Sequence, residues 1–286
     1  MGLSFNPLVR GLAAGGLLFA SWMVVASAAT SCADDGSSGT TGERVTLGTR
    51  AELASPTQFT NSVDWEISLT RATISSGAIY YFSGSPIEEE ARAPSPVPDS
   101  RLGALGWLVP GVAHAHPGHY QEGEARGEML TATSFDLVAG PVELADGEGI
   151  TGLVRSARFT WGTPPAGPEA GALGDAVVLV EGTATKGELV KTFRLEGTTD
   201  DVLDASDLPE IAGCTFEEVD LRANGIVTIH IDPRVWLDQA EFDTVPDSPD
   251  GKPVDVPSDD AASRAFVRGI KKASAFVFTY ESNTGA

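Results

Sequence analysis

The sequence predicts a mainly β fold: a single antiparallel β-sandwich with long loops and one or two short helices. Three observations predict it. Apolar and polar residues alternate in short runs, 32 glycines and 18 prolines punctuate the chain between them, and no sustained heptad pattern appears in the 286 residues. Period-two alternation marks a half-buried strand, and frequent Gly and Pro mark the turns between strands. About nine or ten such runs with little helix call for two packed β layers rather than a helix-covered sheet.

The elements follow in chain order. Val63, Trp65, Ile67 and Leu69 alternate with Asp64, Glu66 and Ser68, which gives a strand with one buried face. A second strand, 78–82, follows a Ser76-Gly77 turn, and strands at 129–138, 153–161 and 176–185 come next. The last of these contains AVVLV, apolar on both sides as a central strand would be, and turns through Lys186-Gly187 into a partner at 188–195. Runs at 216–221 and 226–231 flank Asn224-Gly225, a type I′ hairpin signal. A helical turn is expected over 233–242, with Pro233 at its first position, and a short helix over 260–271 ahead of a final strand at 273–281.

The first 31 residues read as an export signal: Arg10, then an apolar stretch, then small residues. The stretch is about long enough to cross a bilayer, so an uncleaved anchor also fits. Ala26-Ser27-Ala28 offers an ordinary cleavage site. Ala29-Thr30-Ser31-Cys32 offers a lipobox-type site, in which Cys32 becomes the lipidated first residue. Residues 32–43 then form a flexible tether rich in Gly, Ser, Thr and Asp, which favours an exported lipoprotein of the periplasm or outer membrane. The β domain is expected over 44–286, with long loops at 86–120 and 243–260. Cys214 is a buried small hydrophobe if Cys32 is acylated. If Cys32 stays a thiol in an oxidising compartment, a Cys32–Cys214 disulfide is open.

Charge narrows the partners. Nineteen basic residues against 40 acidic ones give a net charge of −21. Such a field repels phosphate backbones and anionic headgroups and attracts cations. Nucleic acid is excluded, and membrane contact is expected only through a lipid anchor at Cys32.

Three of the four histidines fall within six residues, in Ala113-His114-Ala115-His116-Pro117-Gly118-His119-Tyr120. In an extended H-x-H both imidazoles project to one side, and Pro117-Gly118 can turn His119 back toward them. Imidazole nitrogens suit copper or zinc. Glu122, with Glu124 and Glu128 behind it, can complete or orient the shell. His230 lies on a strand whose Val227, Ile229 and Ile231 face the other way, so it either closes the site or stands as a hydrogen-bonded strand histidine. The apolar segment 102–115 is expected to dock through Trp107 and Leu108 and to present the histidines at its end.

Residues 113–128 and the W-x-I-x-L strand from Trp65 to Leu69 resemble exported bacterial envelope proteins with metal-associated histidine loops. They are similar in style to copper-linked periplasmic β proteins encoded beside di-haem peroxidase-like partners. The resemblance implies copper capture or delivery in the periplasm, with His114, His116 and His119 as ligands.

No enzyme is expected. The G-x-G-x-x-G at 147–152 leads into a strand instead of opening a helix, so it reads as a Gly-rich turn. No G-x-S-x-G, H-E-x-x-H or Walker loop is present. Two functions are therefore carried forward. One is an envelope lipoprotein that sequesters or delivers copper or zinc. The other is a β-sandwich module that recruits a protein partner at the cell envelope.

Overall fold

Alternation sets which side of each strand is buried, and strand pairing then decides where that side goes. The computed structural model describes residues 42–87, 120–248 and 250–283. The expected signal peptide, Cys32, Trp107, Leu108, His114, His116 and His119 lie outside the described residues.

The described chain is mainly β. It begins with β1 (Arg44–Leu53), β2 (Gln58–Thr60), β3 (Glu66–Phe82), β4 (Ala125–Met129), β5 (Thr133–Asp136), β6 (Val142–Glu143), β7 (Gly147–Ile150) and β8 (Gly152–Trp161). A short helix α1 (Ala170–Leu173) leads to β9 (Ala176–Lys186), β10 (Leu189–Thr198), β11 (Glu210–Leu221) and β12 (Gly225–Ile231). Then come α2 (Pro233–Leu237), β13 (Val254–Asp255), α3 (Ala261–Ile270) and β14 (Phe276–Ser282).

All of these strands join one mixed sheet, not the two antiparallel sheets of a sandwich. The order β3-β4-β7-β1-β12-β14-β11-β8 returns to β3 through a β3–β8 ladder, so eight strands form a closed ring of pairings. Within it β1–β12 and β11–β14 are parallel. Closure removes the edges that an open sheet must protect. Inward residues fill the ring: Leu47 and Ala51 of β1, Ile79 and Tyr81 of β3, Phe159 of β8, Val227 and Ile229 of β12, and Phe278 of β14 are all fully buried. Tyr81 meets Phe216 and Phe278 edge-on, with centroids 5.6 and 6.2 Å away.

β3 is long enough to serve two assemblies. Its second half, from Ser76, lies between β4 and β8, while its first half pairs with β9 and, on the other side, with β2 and β5. The β9–β10 hairpin and β13 extend that first half into a flank. α3 packs on this flank through Phe266 and Ile270 beside Gly197. Asp260 caps α3 by accepting from Ala262 N at 2.8 Å, and Asp232 caps α2 by accepting from Arg234 N at 3.0 Å. α2 lies close against α3: a side chain at Gly269 would run into the Trp236 backbone. Phe276 joins the parts, stacking on Phe159 at 4.6 Å and meeting Trp161 and Trp236.

Several expectations change. The Ser76-Gly77 turn is absent, since β3 runs straight through it. The Asn224-Gly225 link does connect β11 to β12, but the two strands do not pair as a hairpin. β14 inserts between them. Residues 147–150 form strand β7 rather than a turn, because a side chain at Gly149 would strike Leu47 and one at Gly147 the Glu128 carbonyl. β1 was not legible as a strand, because its inward positions include Thr49 and Ala51 among Val45 and Leu47. The expected 129–138 strand is broken into β4, β5 and a 3-10 turn at Leu137–Ala139. Cys214 is fully buried, as a small hydrophobe would be, and its thiol donates to Ile211 O at 3.4 Å.

Candidate functional site

The segment that carries the three clustered histidines leaves the described structure after Ile87 and re-enters at Tyr120. Its two described ends run side by side. Ser83 N donates to Glu124 O at 3.0 Å, Gly84 N donates to Glu122 O at 2.7 Å, and Glu124 N donates to Ser83 Oγ at 2.9 Å. Both ends are also fastened to the ring. Ile87 N donates to Gly213 O on β11 at 3.0 Å, and the Tyr120 hydroxyl lies 2.8 Å from Ser156 Oγ on β8. Burial pushes the Tyr120 phenol up, with the Ser156 hydrogen bond pulling the other way.

Arg158 holds this foot in place. It stands on β8 between the inward Ala157 and Phe159, so its guanidinium reaches outward. There it donates to Glu122 Oε1, lies 3.4 Å from Glu210, and covers the Phe82 and Tyr80 rings at 5.5 and 6.0 Å. Burial raises the Glu210 carboxyl above the ordinary range, and Asp204 adds to the rise while Arg158 opposes it. Part-buried pairs of this kind lose more when broken from one side than fully exposed pairs do. Glu122 thus anchors this foot through Oε1, with 31% of its side chain still exposed.

His230 sits elsewhere. β12 and β3 are four positions apart in the ring of eight, which puts them on opposite sides. On its own outer face the His230 ring has both nitrogens engaged. Nδ1 is 3.1 Å from Glu52 Oε1 on β1, and Nε2 is 3.0 Å from Thr279 Oγ1 on β14. The parallel register pairs Glu52 directly with His230. The order hydroxyl, imidazole, carboxylate is one that nucleophilic catalysis also uses, here on a half-exposed sheet face.

The structure therefore does not bring Glu122 and His230 together. Among the described residues, no group of three or more His, Cys, Asp or Glu is placed to hold a metal ion. No helix among them is long and apolar enough to cross a membrane. Neither a family model, nor a characterised protein, nor a solved structure matches the chain.

Sequence reasoning missed Arg158 and Tyr120. The signal for Arg158 was available: it is a cation set within the apolar run that ends Arg158-Phe159-Thr160-Trp161, where alternation points it outward. Nothing in the sequence pairs it with Glu122, 36 residues away.

Proposed function

We propose that the protein is a non-catalytic, exported lipoprotein of the bacterial envelope that binds copper or zinc through His114, His116 and His119. The observation that carries this reading is the spacing of those three histidines within six residues of a strongly anionic chain. Two features support it. The described stretch just after them, from Tyr120 to Glu124, is pinned to the ring by hydrogen bonds and an ion pair. Of the two further candidate ligands, Glu122 pairs with Arg158, and His230 lies between Glu52 and Thr279.

Metal content by mass spectrometry tests it, on the full chain exported with Cys32→Ala after equilibration with copper and with zinc. About one ion per chain, lost in His114→Ala/His116→Ala and kept in His230→Ala, is the expected result. Retention in the double variant would overturn it.

The second reading, recruitment of a protein partner at the envelope, has its own observation. Leu189 and Val190 are large apolar residues, 46% and 58% exposed, adjacent at the start of β10 and outside its pairing with β13. A partner captured equally by the metal-free protein, and released by Val190→Glu, would favour it over metal handling.

A further inference from the structure

The outer face of the flank holds a feature that metal handling does not use. β2, the first half of β3, and β9 lie side by side, and their register aligns outward residues into two rows. Gln58 stands opposite Ser68, which stands opposite Thr183. Thr60 stands opposite Glu66, which stands opposite Thr185. These six residues border a groove of about 440 Å³, while Phe59 and Ile67 between them turn their side chains toward the core. That volume falls within the roughly 300–1,000 Å³ of small-molecule sites.

The groove gathers polar groups that have no side-chain partner of their own. Other surface side chains pair with one another, as Arg194 does with Glu181, Glu196 and Asp255, Arg50 with Glu143, and Arg71 with Glu169. Among the described residues, no side-chain hydrogen bond or ion pair engages Gln58, Thr60, Glu66, Ser68, Thr183 or Thr185. Three hydroxyl-bearing threonines, a serine, an amide and one carboxylate thus face solvent with their donors and acceptors available.

The composition selects the ligand. With no cation in the lining, a phosphate or carboxylate has nothing to pair with. The groups are also too dispersed for one ion. Neighbouring strands are about 4.8 Å apart and outward residues on one strand about 6.8 Å apart, so the array extends roughly 10 by 7 Å. A cation instead gathers its oxygens within about 2.6 Å of one point. A neutral, polyhydroxylated ligand matches on both counts, since each of its hydroxyls can donate and accept at a separate position. We infer that this groove binds a saccharide one or two pyranose rings long, through the two rows of side chains on β2, β3 and β9. This site is independent of the histidine segment.

Saturation-transfer NMR on the full chain with cellotriose and with the N-acetylglucosamine trimer tests the inference. Transfer to at least one trisaccharide is expected, with a Kd in the millimolar range. The Ser68→Ala/Thr183→Ala variant should bind about tenfold more weakly, the loss of one to two hydrogen bonds. Glu66→Gln, which preserves shape, is the second variant, with a several-fold loss expected and an unchanged denaturation midpoint. Absence of transfer from both sugars at about 20 mM, or undiminished binding in both variants, would overturn the inference.

Discussion

The two halves of β3 make a natural comparison, because one strand serves two different surfaces. Both halves bury their inner side chains in the same core, which includes Ile67, Leu69, Ile79 and Tyr81. Their outer sides diverge. In the ring half, Tyr80 and Phe82 lie under Arg158, itself shared between Glu122 and Glu210. In the flank half, Glu66 and Ser68 face a groove with their polar groups available. The difference separates polar residues that hold the structure together from polar residues free to meet something else. A desolvated, mutually paired cluster is costly to disturb, whereas an exposed polar row costs little to change.

Substitutions at four positions, Tyr81, Arg158, Glu210 and Thr185, test that contrast. Tyr81→Ala, on the inner side of the ring half, has the largest expected effect. It removes a fully buried ring that packs on Phe216 and Phe278, and should lower unfolding free energy by about 3–5 kcal/mol in urea titration. A loss below about 1 kcal/mol would mean the ring interior is not the principal core. Tyr81→Phe should by contrast be near neutral. Its hydroxyl and Thr49 Oγ1 are buried without a well-formed hydrogen bond among the described residues, and burial raises the phenol while Thr49 draws it down.

Arg158→Ala comes next, at about 1–3 kcal/mol, because it leaves Glu210 with 13% side-chain exposure and without its cation. It also carries a pH signature. The Glu210 carboxyl titrates above the ordinary range in the folded protein, chiefly because burial disfavours its charge. The native state therefore holds that proton more tightly than the unfolded chain does. The resulting stability is complete below the ordinary glutamate value and is lost as pH rises through the raised folded value. Removing Arg158 takes away the opposing pull, so the loss across the range above the ordinary glutamate value should deepen. Adding Glu210→Gln should flatten it. Denaturation midpoints across that range give the answer, and an unchanged slope would show that Arg158 and Glu210 are not coupled.

Thr185→Val on the flank half has the smallest expected effect, within about 0.5 kcal/mol, since a surface substitution removes no buried contact. A destabilisation above about 1 kcal/mol would place this groove with the structural cluster and erase the contrast between the halves.

Much of the β framework was legible residue by residue. The alternation at Val63 to Leu69 marked Ile67 and Leu69 as buried, and the hairpin expected at Lys186-Gly187 turns one residue later, through Gly187-Glu188, with Gly187 at φ +61°. Proline at the first position marked α2, because its missing amide is one that a helix start leaves unpaired. The candidate site was less legible. His230 read correctly as outward-facing, but its partners are separated from it by 178 and 49 residues in sequence, so no local pattern names them.

By itself, then, the sequence determined the strand-rich class, the inward and outward sides of most strands, the acidic surface and the histidine spacing. Each follows from side-chain chemistry repeated at short range. Only the tertiary structure decided that β14 enters between β11 and β12, that β3 closes a ring with β8, and that Glu122 and His230 stand on opposite sides of it. The physical reason is that periodicity fixes a strand's faces but not its neighbours. Neighbours are chosen by which ladders together bury the most apolar surface, and that choice belongs to the whole chain at once.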